Sequence, residues 1–302
     1  MIPLADRFRG ALLGLACGDA VGTTVEFKPR GSFPPVEGVT GGGPFSLRAG
    51  QWTDDTSMAL CLAESLLAKR GFDAADQMAR YLNWWRWGYL SSTGECFDIG
   101  NTVRGALERF EMTGQPYSGS DHPRTAGNGS LMRLAPVVMH YYPNRGLVDR
   151  FSVESSRTTH GAQDAVESCR VMAEVLCRCL DGLEKAEIVA PVDLQLHSSA
   201  VRAVATGSYR IKRADEVRGS GYAVAALEAA LWCFDRTADF EACILAAANL
   251  GEDADTTAAI AGQIAGAFYG AAGIPPAWLD LLHERAMIES LADRLLAARP
   301  TD

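Results

Sequence analysis

The sequence predicts an all-α protein. Apolar residues recur at helical spacing in segment after segment, many of those segments are rich in Ala and Leu, and alternating strand-like runs are nearly absent. The first helical stretch, within "RFRGALLGLACGDAVG", carries Gly10, Gly14, Gly18 and Gly22 at four-residue spacing, a bare stripe along one face. Glycine costs helix propensity, so the stripe needs a reason, and close approach of a second helix is the one expected. The Gly/Pro-rich residues 28–50 read as a long loop, a length that is often functional. Periodic segments then follow at about 56–69, 74–88, 101–112, 147–157, 163–181, 221–235, 239–249, 256–270 and 276–298. The segment at 256–270 repeats the glycine spacing, with Gly262, Gly266 and Gly270, and is the expected partner of the first helix.

The chain has 302 residues, a formal charge of -9 and no basic block. That balance disfavours a nucleic-acid partner, which would need clustered Lys and Arg against the phosphates. Eight cysteines lie scattered without a paired CxxC spacing, which reads as buried thiols in a reducing cytoplasm rather than zinc ligands or disulfides. The N-terminus imitates a signal peptide only in part, because its apolar run is short and ends at Asp19. No stretch has the length and apolarity of a membrane span.

Two segments carry the chemistry. "GQWTDDTSMAL" places Thr53, Asp54, Asp55 and Thr56 just ahead of an apolar helix, and "GEDADTTAAIAG" places Asp253, Asp255 and Thr256 likewise. One such segment alone reads as a helix cap, since Asp and Thr satisfy first-turn amides and complement the macrodipole. A cap needs one oxygen, however, and no Lys or Arg lies between Arg236 and Arg285 to neutralise the later set. If the segments converge, four carboxylates repel unless cations sit between them. Oxygen donors without interleaved Cys or His select hard ions such as Mg²⁺, Mn²⁺ or Ca²⁺.

Taken with "GDAVGTTVEF", "FDIGNT", "AGNGSLMRLAPV", "TTHGAQDAV" and "GSGYAVAALEAALW", these segments resemble, in order and over most of the chain, the motifs of the ADP-ribosylglycohydrolase family. The resemblance implies a single compact, orthogonal multi-helix bundle across residues 1–302 with a binuclear Mg²⁺ or Mn²⁺ centre. It implies Thr53, Asp54, Asp55, Asp253, Asp255 and Thr256 as metal ligands, and Glu26 as a mobile glutamate over the site. It further implies that Gly127, Asn128, Gly129 and Ser130 cradle a pyrophosphate. His160 is expected to contact phosphate or ribose, and Ser220, Gly221 and Tyr222 to border the ligand. Asp19 is expected to act as a structural cap or a support behind the ligands. Asp98 matters for substrate choice, because a carboxylate can pair bidentately with a guanidinium, and the arginine-specific branch has an acid in the similar motif.

The activity so implied is release of ADP-ribose from arginine side chains in the cytoplasm, with Asp55, Asp98 and Glu26 as catalytic residues. The partner is then an ADP-ribosylated protein or small molecule. An alternative keeps the site but acts on O-linked ADP-ribose, and another is an immunity protein that neutralises an ADP-ribosylating toxin. Glu252 departs from the Gly or Asp found in many members.

Overall fold

The computed structural model describes residues 2–299, and fourteen α-helices build the described chain, with strand pairing limited to three isolated bridges. In chain order they are α1 (Leu4–Gly22), α2 (Asp54–Lys69), α3 (Ala74–Trp87), α4 (Asn101–Thr113), α5 (Ala135–Tyr141), α6 (Arg145–Arg157) and α7 (Gln163–Asp181). There follow α8 (Lys185–Ile188), α9 (Ser199–Ala205), α10 (Ala223–Arg236), α11 (Phe240–Ala248), α12 (Ala254–Tyr269), α13 (Pro276–Leu281) and α14 (Arg285–Ala297). No described helix is long and apolar enough to cross a membrane.

Helices α1 and α12 form the most extensive pair and run antiparallel along the two glycine stripes. A Cβ placed on Gly10 would stand 2.1 Å from the Gly266 carbonyl oxygen, and one on Gly14 would stand 2.2 Å from that of Gly262. No side chain fits there, so the helices touch backbone to backbone while Phe8, Leu12, Leu13, Ile260 and Ile264 fill the core around them. The pairing has a consequence at one end. Because Gly22 lies against Ala254, the C-terminal end of α1 and the residues after it stand beside the start of α12.

The predicted helix at 276–298 is two helices, α13 and α14. Between them the His283 amide donates to the Gly50 carbonyl at 3.0 Å, and Trp52 Nε1 donates to the His283 carbonyl at 3.1 Å. That long-range pairing draws the chain aside at Glu284, whose φ is 53°, where periodicity continues unbroken. Helices α5, α8 and α9 carry no periodic signal of their own, being four to seven residues long.

Candidate active site and metal centre

Helix α2 begins at Asp54 and α12 at Ala254, so Asp54, Asp55, Thr56, Asp255 and Thr256 lie inside first turns rather than ahead of them. Thr53 and Asp253 occupy the N-cap positions, yet neither side chain caps its helix, which corrects the cap reading of these segments. The capping of α2 falls to Asp19, from α1. Its carboxylate accepts from the Thr53 amide at 2.9 Å, the Thr56 amide at 3.0 Å and the Thr56 hydroxyl at 2.7 Å. Asp253 instead accepts from Asn128 Nδ2 at 2.6 Å. With the amides supplied from elsewhere, the acids of α2 and α12 turn toward one another. The Thr53 hydroxyl lies 3.4 Å from both Asp55 Oδ2 and Asp255 Oδ2, and the Thr256 hydroxyl lies 3.3 Å from Asp55 Oδ2.

Glu26 and Asp98 complete the cluster. Both follow from the fold: Glu26 stands just past α1, and Asp98 precedes α4 in left-handed backbone (φ 57°), a strained geometry that functional residues often hold. One carboxylate oxygen each from Glu26, Asp98 and Asp255 lie within 4.8 Å of one another. Glu26 is only 3% exposed, so it is no solvated glutamate. Asp98 does not cap α4, whose N-cap is Gly100. Burial, reinforced by the Asp98, Asp253 and Asp19 charges, pushes Glu26 up to about 9; burial and Asp253 push Asp98 to about 7. Asp54, Asp55 and Asp255 are driven well above the carboxylate range, burial again leading and neighbouring carboxylates adding to it.

The cluster is therefore short of cations. Asp55 Oδ1 and Asp255 Oδ1 are buried without a hydrogen-bond partner among the described residues, although buried polar atoms are nearly always satisfied. All-oxygen donors with orphaned anionic atoms fit a hard divalent ion. They also set the pH response of the metal-free protein. The folded cluster holds protons that the unfolded chain releases near pH 4, so its contribution to stability is present in acid and is lost as pH rises through the raised pKa values of Asp98 and Glu26. In EDTA, the melting temperature is expected to drop between about pH 5 and pH 9, and saturating Mg²⁺ or Mn²⁺ to flatten the slope. Calorimetry at both pH values checks this; a rising midpoint in EDTA contradicts it.

The acids Glu26, Asp54, Asp98 and Asp253, with Thr256, line one part of a cavity of about 760 Å³. Gly127, Asn128, Gly129, His160, Gly221 and Tyr222 line another, and their loops are zipped together, the Asn128 amide donating to the Gly221 carbonyl at 3.0 Å and Ala223 to Ala126 at 3.0 Å. Thr53, Asp55 and Asp255 sit buried behind this wall. Two expected ligand contacts fall elsewhere. Ser130 is buried behind the loop, accepting from the Ser156 hydroxyl at 2.9 Å, and Ser220 is not among the lining residues. Tyr222 is 40% exposed, and its hydroxyl donates to Asp164. Burial, with the Arg133 charge adding, lowers His160 to about 3, so the imidazole is neutral.

Sequence reasoning missed Phe27, Arg124, Met132 and the α4 start, Gly100–Val103, all of which line the cavity. The backbone of Glu252 fastens the segment that carries Glu26: its carbonyl accepts from the Phe27 amide and its amide donates to the Lys28 carbonyl, at 2.7 and 2.8 Å.

The profile of a family described as ADP-ribosylglycohydrolase matches residues 2–302. The chain is 45% identical to "ADP-ribosylarginine hydrolase Tri1" of Pseudomonas putida, covering 98% of this chain and 79% of that protein. It is 33% identical to "ADP-ribosyl-[dinitrogen reductase] glycohydrolase" of Rhodospirillum rubrum, covering 98% of each. A solved structure titled "ADP-ribosylglycohydrolase-related protein complex" superposes with a TM-score of 0.87 at 46% identity, covering 98% of this chain and 99% of its own.

Proposed function

The chain belongs to the ADP-ribosylglycohydrolase family, and from that premise we propose that it is a metal-dependent hydrolase releasing ADP-ribose from arginine side chains. What supports this reading above all is the convergence of the α2 and α12 acids, with two orphaned carboxylate oxygens, beside a cavity large enough for a dinucleotide-sized ligand. Thr53, Asp54, Asp55, Asp253, Asp255 and Thr256 would hold two Mg²⁺ or Mn²⁺ ions. Bound there, such ions lower the pKa of water and polarise the ribose diol.

The chain's own residues do the rest. Asp98 accepts two hydrogen bonds from the guanidinium and sets its plane against the cavity wall. Glu26 covers the acidic end and excludes bulk water. Water oxygen bonds to the anomeric carbon as the bond from that carbon to the guanidinium nitrogen breaks. The proton the water gives up ends on the departing guanidine, with Asp55 and Asp98 as the carboxylates able to carry it. The loops at 127–129 and 221–222 hold the diphosphate and adenosine, their glycines allowing amides close to the anion. The eight free thiols suit a reducing, cytoplasmic site of action.

The linkage is tested on matched peptides carrying ADP-ribose on arginine or on serine. Release from arginine is expected to be at least about 100-fold faster, and Asp98→Asn to lower kcat/KM on the arginine peptide by about 100-fold, because the amide cannot accept both guanidinium bonds. Equal release from both peptides, or an Asp98→Asn variant with unchanged selectivity, sinks the arginine reading.

A further inference from the structure

Arg133 is 0% exposed, yet it makes no ion pair among the described residues. A buried cation without a carboxylate is costly, and it is held here by neutral acceptors. One guanidinium nitrogen donates to the carbonyl of Gly129, a residue of the cavity wall; another donates to the Ser155 carbonyl at 3.3 Å and to Thr159 Oγ1 at 2.8 Å; and the group lies 4.9 Å over the Tyr81 ring. Thr159 Oγ1 in turn lies 2.8 Å from His160 Nδ1. Thr159 is fully buried, and since its oxygen already accepts from Arg133, its hydroxyl hydrogen needs an acceptor. Nδ1 is the one acceptor that the geometry offers among the described residues. The hydroxyl therefore donates to Nδ1, and the neutral ring carries its hydrogen on Nε2.

The Nε2 edge of that ring faces the loop. A Cβ on Gly127 would stand 3.3 Å from His160 Nε2, and one on Gly129 would stand 2.8 Å from Cε1. Nε2 has no partner among the described residues, and His160 borders the cavity.

We propose that Arg133 and Thr159 are positioning residues: a buried relay that fixes His160 as an Nε2–H donor toward the cavity and puts an unneutralised positive charge behind the glycine loop. The wall that His160 borders then offers a hydrogen-bond donor, backed by that charge, to an anionic ligand group, here a diphosphate. The choice of ADP-ribose as probe rests on the proposed function; the tautomer does not. Imidazole ¹⁵N NMR of the free protein is expected to show His160 Nε2 protonated and Nδ1 bare. The reverse tautomer overturns the relay whatever the protein binds. Thr159→Val, which keeps shape and removes the hydroxyl, is expected to yield mixed tautomers and to weaken ADP-ribose binding about tenfold by calorimetry, the size of one hydrogen bond to a charged group. A Thr159→Val protein that keeps the wild-type tautomer, or that changes tautomer without losing affinity, overturns the proposal. Wild-type protein that binds no ADP-ribose sinks the functional reading instead, and leaves the free-protein NMR to decide the relay.

Discussion

Asp255→Asn is expected to abolish turnover, by about 1,000-fold or more, while raising the melting temperature of the metal-free protein. The two effects share a cause. Asp255 is 1% exposed, one of its oxygens lies within 4.8 Å of those of Glu26 and Asp98, and its Oδ1 has no hydrogen-bond partner among the described residues. In the absence of cations its charge is desolvated and repelled, so replacing it by a neutral amide that can donate to the neighbouring carboxylates removes a cost. A gain of about 1–2 kcal/mol corresponds to roughly 2–3 °C in a chain of this size. The same change removes a charged donor to the proposed metals, and with it the stabilisation that bound ions give the wild type. The measurement is a pair of melting curves, in EDTA and in Mg²⁺, beside a turnover assay. A structural role for Asp255 would lower the EDTA midpoint; retained turnover would remove the residue from the site.

Gly262→Ala is expected to cost about 3 kcal/mol or more, near 5 °C. Two effects oppose each other there. Alanine is the better helix former by about 1 kcal/mol, but its Cβ would stand 2.0 Å from the Gly14 carbonyl oxygen and 2.6 Å from the Gly14 carbonyl carbon. Neither backbone atom can yield without parting α1 from α12, so overpacking wins. The damage does not stay local. Asp19 on α1 caps α2, and Gly22 sits against Ala254, so parting the pair moves the acids of α2 and α12 relative to each other. Metal affinity is expected to fall with stability. Gly105→Ala on α4 is the control, since only Arg109 Nη1, at 3.4 Å, approaches its Cβ, and there the propensity gain of up to about 1 kcal/mol should appear as higher stability. If both variants melt alike, backbone contact between α1 and α12 is not what holds the site together.

Much of this was legible because it is written in local patterns. The glycine spacing of Gly10–Gly22 and Gly262–Gly270 announced a helix pair in close contact, and the doubled acids at 53–56 and 253–256, with no cation nearby, announced more than capping. The metal-ligand and ligand-loop residues came from a resemblance in motif order, and Ser130 shows its limit: it lies in the motif but faces Ser156 and Cys169, because only part of a turn can border a cavity. What stayed hidden depends on contacts distant in sequence. Asp19 had two roles open in the sequence, and only its bonds to Thr53 and Thr56, more than thirty residues on, settle it as the cap of α2. Arg133 reads as an ordinary residue in "SLMRLAPV" until its bonds to Gly129 and Thr159 place it beneath the cavity wall. The break at Glu284 is likewise set by Gly50 and Trp52, which periodicity at 276–298 cannot register.

Cations bound between two acidic helix starts are the centre of the proposed chemistry, and one measurement tests them directly. Protein stripped with EDTA, its metal content verified by elemental analysis, is assayed on an ADP-ribosyl-arginine peptide before and after addition of Mg²⁺ or Mn²⁺. Release is expected to be absent from the stripped protein and to return with two ions bound per chain. Full release by metal-free protein would contradict a role for cations in the reaction.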